Sequence, residues 1–342
     1  NYSAQGRAVT TSDYEVYVKR LFPNTQSVSI WGGEDGSFDT STGVSSTPEY
    51  GKVFISVKST TSLNLTTSQK ENLVKDLNPY KVASITPVIV DPETTFIILG
   101  ITFNYNSSAT TQSKTDLETS VSNTIASFTD NNLEDFNLPF RHSLVTGLID
   151  DVDSAITNNT TTVTMGKFFT PSLTTSSNYT VSFNNAFYNP HSGHNSSGGG
   201  VIASTGFQID GDTSTEYFFD EDGSGNLRTY SIVSGTRTYL NSTAGSIDYT
   251  NGIVTINALK ITAVSNVDGE ASTNIRITAI PSSNDIVPVR NQLLEIDLVN
   301  TTITGQVDNT TTTGVGYTTT TSGTASTTSV NTTTSYPTSS SY

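Results

Sequence analysis

Cysteine is absent from the 342 residues, and charged side chains are scarce. Without cysteine the chain can form no disulfide, no thiol nucleophile and no cysteine-ligated zinc site. This absence is typical of a reducing compartment, such as the cytoplasm of a cell in which a complex assembles. Charged residues make up 14% of the sequence, against about 25% in a typical soluble domain. No apolar run approaches the length of a membrane-spanning helix, so none is predicted.

Basic residues are few as well, at 16 against 31 acidic residues, which gives a formal net charge of −15. Phosphate backbones and anionic lipid surfaces repel such a chain. We therefore expect neither a nucleic-acid partner nor a membrane partner. Thr, Ser and Asn are abundant in place of charged residues, and the chain also contains 15 Phe and 15 Tyr. Aromatic and β-branched residues are typical of a folded, β-rich protein rather than a disordered one.

The periodicity of apolar residues predicts an α+β, multidomain chain. Two small mixed α/β units precede a β-rich, sandwich-like or barrel-like domain and an extended Thr/Ser-rich arm. The predicted segments are 1–92 (mixed α/β), 93–188 (α+β), 189–200 (linker), 201–300 (β-rich) and 301–342 (low-complexity tail). The composition of the tail predicts disorder in isolation, although its Thr-rich segments could extend along a partner.

Local signals predict several helix ends and turns. Thr10 and Asp13 have the spacing of a capping box at the start of a helix. A hairpin turn is predicted at 220–226, whose sequence is DEDGSGN, and another at Asn251–Gly252.

Apolar residues at helical spacing predict one buried face on each of two later helices. The first face consists of Leu117, Val121, Ile125 and Phe128. The second consists of Leu144, Leu148, Val152 and Ile156.

The segment that begins at Asp220 resembles the start of a calcium-binding loop. Asp220, Asp222, Ser224 and Gly225 have the spacing of an EF-hand, but its twelfth position is Ser231 instead of a bidentate glutamate. No helix is predicted on either side. The pattern therefore favours an acidic hairpin turn over a metal site.

Two histidines, His191 and His194, lie three residues apart in a Gly/Ser-rich stretch. A metal site needs a further ligand on a rigid element, and the one remaining histidine, His142, is distant in sequence. A polar linker is the favoured interpretation. We predict no metal ligand and no cofactor.

Catalytic motifs are missing too: there is no nucleophile elbow, phosphate loop or zinc-protease signature. Glu34, Asp35 and Asp39 could form the carboxylate pair of a glycosidase, which is defined by distance and not by spacing. No aromatic-rich carbohydrate groove accompanies them. We predict that the chain has no catalytic residue and no small-molecule substrate and is not an enzyme.

The N-terminal half carries a family resemblance. Its stretches include NYSAQGRAVTTSDYEVYVKRLFPNTQSVSIWGGEDG, PEYGKVFISVK, NLTTSQKENLVKDLNPYKVASITPVIVDP and TTFIILGITFNYN. They resemble the large baseplate wedge proteins of T-even-like contractile-tailed phages and, more broadly, the baseplate J-like family. The family pattern falls on Ala8, Thr11, Asp13, Tyr14, Val28, Gly51, Val53, Ile55 and Pro87. The likeness covers about residues 1–190, and its motifs are structural rather than chemical.

The resemblance implies a virion protein of the tail baseplate, assembled in the host cytoplasm. Such proteins form the inner baseplate ring, dimerise, bind other wedge subunits and rearrange when the sheath contracts. The family protein has a long upstream half, so we expect Asn1 to lie in the middle of a longer protein.

Two aromatic residues beside the acidic Gly-rich loop are candidates for an intersubunit contact: Trp31 and Phe38. Aromatic residues are enriched both at interfaces and in cores, so Trp31 could equally end a core strand.

Two other classes of function remain open alongside the baseplate protein. An extracellular adhesin or surface-layer module would suit the β-rich second half, although no internal repeat is present. A carbohydrate hydrolase is the more distant alternative.

Overall fold

The computed structural model describes residues 6–35, 48–62, 64–191, 200–308, 311–312 and 317–318. The α-helices are α1 (Thr11–Leu21), α2 (Thr67–Leu77), α3 (Lys114–Asn132) and α4 (His142–Asp150), and Gly33–Asp35 form a 3-10 turn. The strands are β1 (Thr25–Gly32), β2 (Lys52–Ser59), β3 (Thr86–Val90), β4 (Glu93–Tyr105), β5 (Ile156–Phe169), β6 (Ser177–Ser182), β7 (Ile202–Ser204), β8 (Phe207–Ile209), β9 (Asp212–Glu221), β10 (Asn226–Val233), β11 (Thr236–Asp248), β12 (Ile253–Leu259), β13 (Ile261–Val264), β14 (Ile275–Ala279), β15 (Gln292–Ile296), β16 (Thr302–Val307), β17 (Thr311–Thr312) and β18 (Tyr317–Thr318). The predicted α+β class is confirmed. Within the described ranges, no helix is long and apolar enough to cross a membrane.

The chain divides into two compact units. The first comprises residues 1–99, 126–142 and 162–301, and the second comprises residues 100–125, 143–161 and 302–342. Helix α3 and strands β4 and β5 contribute residues to both units.

The N-terminal part of the first unit is a three-stranded sheet with the order β1-β2-β3. Strand β1 is antiparallel to β2, and β2 is parallel to β3. Helices α1 and α2 pack on one face of this sheet and bury a shared apolar core. Its buried members include Tyr14, Tyr17, Val18, Val53, Ile55, Val57, Leu73 and Leu77. The mixed α/β character predicted for this part is confirmed.

The predicted capping box opens helix α1. The Thr10 hydroxyl accepts a hydrogen bond from the Asp13 amide at 3.2 Å, and the Asp13 carboxylate accepts one from the Thr10 amide at 3.0 Å. Hydrogen bonds that the Thr10 amide and hydroxyl donate to the Asp13 carboxylate hold the pKa of Asp13 below its ordinary value. Thr66 and Gln69 form a second capping box at the start of α2. Each box satisfies amide donors that the first helical turn leaves open.

Strand β4 belongs to a six-stranded sheet with the order β15-β4-β5-β14-β7, in which β16 also pairs with β4. Alternate residues of β4 are buried, which is the pattern of a strand with one face in the core. The buried apolar residues are Ile97, Leu99, Ile101, Phe103 and Tyr105.

Strand β16 lies in the segment whose composition predicts disorder. Thr302–Val307 instead pair in parallel with residues 100–105 of β4. Gly305 permits the close approach, because a Cβ atom there would lie 2.8 Å from the Phe103 ring. Its amide donates to the Glu118 carboxylate at 2.9 Å. The prediction of a tail from residue 301 is therefore wrong for this strand, because backbone pairing to β4 compensates for its poor apolar content.

The β-rich part of the first unit is a seven-stranded sheet with the order β13-β8-β9-β10-β11-β12-β6. Both predicted hairpins are confirmed: β9 pairs antiparallel with β10, and β11 with β12. Strand β6, which precedes residue 189, pairs with β12, and β7 and β14 pair in the same sheet as β5. Strands that precede residues 189–200 thus pair in the same sheets as strands that follow them, although the sequence predicts a linker between domains at these residues.

The two later helices differ in how well their faces were predicted. Helix α3 buries Leu117, Val121, Ile125 and Phe128 as expected. Helix α4 does not: it buries Val145 and Ile149 and exposes Leu144 and Leu148. It ends at Asp150, so Val152 and Ile156 lie outside it. The pair Leu144 and Leu148 and the pair Val145 and Ile149 both have i, i+4 spacing. The spacing of apolar residues alone therefore cannot determine which of the two faces is buried.

Candidate functional site

The hairpin formed by β10 and β11 ends in an exposed apolar tip. Along β10 the residues are buried as far as Ser231, and the strand then becomes exposed. Ile232 is 57% exposed, Val233 54%, and Leu240 on the returning strand 55%. We call residues 232–240 the arm. Three large apolar side chains on one protruding hairpin are typical of an interaction surface rather than of a solvated loop.

The turn of the arm consists of Ser234 and Gly235. Both have positive φ angles, 49° and 79°, and Val233 pairs with Thr236 on either side of them. Two consecutive left-handed residues are typical of the two-residue turns that suit the twist of a hairpin. This turn is not among those predicted from the sequence, although a Ser-Gly dipeptide between two β-forming runs is a signal for one.

The base of the arm is held by Asp220 on β9. Its carboxylate accepts hydrogen bonds from Arg228 Nε at 2.9 Å, from Arg237 Nη1 at 2.8 Å and from the Tyr239 hydroxyl at 3.0 Å. Asp220 and Arg228 are buried, whereas Arg237 is partly exposed. A buried carboxylate needs such partners, because burial of an unpaired charge is costly. The three contacts tie together β9, β10 and β11.

Aromatic rings stack with the two arginines at the same place. The Arg228 guanidinium lies 4.3 Å from the centre of the Tyr239 ring, and that of Arg237 lies 4.7 Å from the Tyr230 ring. Tyr230 also contacts Phe218, with 5.6 Å between ring centres. Burial raises the pKa of both tyrosines. These contacts give the arm a base that is rigid and internally paired.

A neighbouring carboxylate, Glu221, is also used within the fold. It accepts a hydrogen bond from the Tyr249 hydroxyl at 2.7 Å and one from the Val201 amide at 3.3 Å. Burial, and then the contact with Glu221, raise the pKa of Tyr249 well above its ordinary range. The charged groups of this region therefore fasten strands to one another.

A second surface feature lies beside helix α2 and strand β3. It is a shallow cavity of about 450 Å³. Its lining combines apolar and polar side chains. The lining residues are Lys70, Glu71, Val74, Lys75, Asn78, Pro87, Val88 and Ile89.

The first residue predicted to contact another subunit, Trp31, is 6% exposed. It lies in β1 opposite Phe54 of β2, and the two rings stack with 5.7 Å between their centres. This placement favours the alternative in which Trp31 ends a core strand, and its interface role stays a prediction. The second residue, Phe38, lies outside the described residues.

The calcium-like loop is occupied by its own backbone and side chains. The Asp222 carboxylate accepts hydrogen bonds from the amides of Ser224 and Asn226 and from the Asn226 side chain at 2.6 Å. Asp220 points to the arginines instead. The described part of the chain contains no group of three or more His, Cys, Asp or Glu residues arranged to hold a metal ion.

The remaining candidate groups are only partly described. His191 lies at the end of a described range, and His194 lies outside it. Glu34 is exposed within the 3-10 turn, and Asp39 is also outside the described residues. No catalytic geometry is established by these positions.

Comparison with known protein families identifies the class of the matched domains. The family model of baseplate structural protein gp6, C-terminal domain I, matches residues 10–90. The model of C-terminal domain III of the same protein matches residues 93–167. These two ranges therefore resemble C-terminal domains of a phage baseplate structural protein. The resemblance inferred from the sequence is confirmed over this part of the chain.

A relative whose sequence matches part of this chain is the baseplate wedge protein gp6 of Enterobacteria phage T4. The two sequences are 30% identical over 162 residues, which is 47% of this chain and 23% of the relative. The chain thus spans about a quarter of the length of that protein. The wider likeness to the baseplate J-like family stays a prediction.

Proposed function

We propose that this chain is a structural component of the baseplate wedge of a contractile tail. It helps to form the inner baseplate ring by binding to a second copy of itself and to other wedge subunits. These contacts rearrange when the sheath contracts. The match of residues 10–90 and 93–167 to structural baseplate domains supports the role. The chain acts by packing, without catalysis, cofactor or small-molecule substrate.

The exposed apolar side chains of the arm support the proposal that the chain binds other wedge subunits. Ile232 and Val233 are consecutive in a strand, so their side chains point to opposite faces of the hairpin. Both are more than half exposed. An arm that is apolar on both faces suits insertion between neighbouring subunits. The paired base at Asp220 keeps it ordered before binding, which lowers the entropy lost on association.

Assembly with purified wedge subunits of the same phage tests this proposal. Complex formation is measured by sedimentation with the wild type and with the double variant Ile232→Ser/Leu240→Ser. Burial of one large apolar side chain contributes about 1.5–3 kcal/mol, so we expect the variant to bind at least about tenfold more weakly. Its thermal stability should stay unchanged, because both side chains are exposed.

Leu173→Ser is the matched control, since Leu173 is a similarly exposed leucine in a loop outside the arm. It should assemble like the wild type. Equal assembly of the double variant and the wild type would contradict the role of the arm. The interface role predicted for Trp31 is tested separately, by the substitution Trp31→Ala.

A further inference from the structure

Strand β3 forms one edge of the three-stranded sheet, and its outer side is unpaired. The Thr86 amide donates to the Gly51 carbonyl of the neighbouring chain segment at 2.8 Å, so alternate residues from Thr86 onward direct their backbone groups towards β2. The backbone groups of Pro87 and Ile89 therefore point away from β2. Among the described residues, none forms a hydrogen bond with these groups. An unpaired edge of this kind is a template for another strand.

The free groups of this edge are complementary to themselves. The outward donors are the amides of Ile89 and Asp91, which Pro92 keeps extended, and the outward acceptors are the carbonyls of Pro87 and Ile89. In an antiparallel pair centred on Ile89, the two Ile89 residues would exchange both hydrogen bonds, and each Pro87 would lie opposite Asp91. Pro87 has no amide hydrogen to donate to the Asp91 carbonyl. That carbonyl already accepts a hydrogen bond from the Asn291 side chain at 2.8 Å, so it needs no donor from Pro87.

Helix α2 flanks the same edge. The cavity of about 450 Å³ is lined by Val74 of the helix and by Val88 and Ile89 of the strand. Since α2 connects the parallel strands β2 and β3, it runs antiparallel to both. Lys70, near the start of α2, accordingly pairs at 2.6 Å with Asp91, which follows the end of β3. Val74 therefore lies close to the level of Ile89.

Two charged side chains of α2 line this cavity without an ion pair. Glu71 and Lys75 are exposed, and neither forms a salt bridge within the described part of the chain. They lie on either side of Val74 along the helix. A twofold axis at the level of Val74 would thus bring opposite charges together.

We propose that β3 of one copy of this chain pairs antiparallel with β3 of a second copy, so that their three-stranded sheets become continuous. The proposal rests on the self-association proposed above and specifies its contact surface. A twofold axis between the two Ile89 residues also sets the two α2 helices side by side and antiparallel. Glu71 of each copy then lies beside Lys75 of the other, and the apolar linings of the two cavities face each other. This closed, symmetric contact leaves neither β3 edge free.

Engineered cysteines test the register, because the chain contains no other cysteine. Val88 of one copy should lie opposite Val90 of the other, with about 4.5 Å between Cα atoms, which a disulfide can span. Val88→Cys and Val90→Cys chains, one of them bearing a mass tag, are mixed under mild oxidation. We expect the mixed disulfide to form in excess of both homodimers. Val264→Cys, at a similarly half-buried position on the edge strand β13, is the control and should give only background cross-linking. Homodimers that form as readily as the mixed disulfide would overturn the antiparallel pairing.

A concentration series followed by light scattering tests the charges. Glu71→Lys places a lysine beside Lys75 of the other copy and should weaken dimerisation several-fold. The double exchange Glu71→Lys/Lys75→Glu should restore dimerisation, because opposite charges face each other again. Both side chains are exposed, so the melting temperature should change little. If the wild type dimerises and Glu71→Lys dimerises equally well, or the double exchange fails to restore dimerisation, the β3 contact is overturned and self-association stands. If the wild type stays monomeric at every concentration, self-association of this chain is overturned together with the contact.

Discussion

Replacement of Asp220 by asparagine should reveal how strongly the base of the arm depends on its charge. The substitution keeps the shape of the side chain but removes the negative charge that faces Arg228 and Arg237. Arg228 is buried beside Asp220, with 2.9 Å between Nε and the carboxylate. Loss of one partner of a buried ion pair costs about 3–5 kcal/mol, because the other charge remains buried and unpaired.

The other two contacts of Asp220 alter this figure little. Arg237 is 41% exposed, and an ion pair with an exposed partner contributes at most about 1 kcal/mol. The Tyr239 hydroxyl can still donate to the asparagine oxygen. The contributions of one connected network do not add, so we expect a total loss of about 3–5 kcal/mol of unfolding free energy.

Urea unfolding followed by circular dichroism measures the loss, and hydrogen exchange of the β10 and β11 amides localises it. Asp210→Asn is the matched control, because Asp210 pairs with Lys260 at 3.0 Å on the surface. It should cost less than about 1 kcal/mol. An Asp220→Asn variant no less stable than this control would refute the reasoning. Faster exchange in the arm should accompany weaker assembly with wedge subunits.

Two further substitutions test buried contacts elsewhere in the first unit. Lys167 is buried and donates to Glu93 at 2.8 Å and to the Ser182 carbonyl at 2.6 Å, so Lys167→Met should cost about 3–5 kcal/mol at neutral pH. Burial raises the pKa of Glu93 against the attraction of Lys167, and the variant loses that attraction. Because the pKa of Glu93 is raised, its protonation stabilises the folded state below the ordinary value of 4.5, and this stability is lost as the pH rises. The free energy of unfolding that Lys167→Met loses, measured by urea unfolding, should therefore be smaller at pH 4 than at pH 7. Equal losses at the two pH values would contradict this. Trp31→Ala removes a large buried ring from Phe54 and should cost about 3–5 kcal/mol by the same assay, whereas an interface role requires weaker association with little change in stability.

Local chemistry made several elements predictable. The capping box of Thr10 and Asp13 needs only residues three apart, and it forms as expected. The face of α3 that carries Leu117 and Val121 is the single strong apolar stripe on that helix, so it is buried. The turn at 220–226 is specified by its own glycines and aspartates. The family resemblance likewise follows from long ordered stretches of sequence in the N-terminal half.

The exposed apolar surfaces were much harder to predict. Helix α4 has two apolar pairs at the same spacing, and only the neighbouring elements determine that Leu144 and Leu148 face solvent. The arm has the composition of an ordinary half-buried strand pair. Its tip is exposed because the adjoining strand β9 pairs with β10 only as far as Ser231.

By itself, the sequence determined the fold class, the start of helix α1, two hairpin turns and the family resemblance of the N-terminal half. Each depends on residues close together in the chain. Tertiary structure alone decided that Thr302–Val307 form a strand beside β4 and that β6 pairs with β12 across residues 189–200. It also decided that Asp220 pairs with arginines instead of serving a metal loop. The physical reason is that backbone pairing and burial depend on partners distant in sequence, which local composition and spacing do not specify.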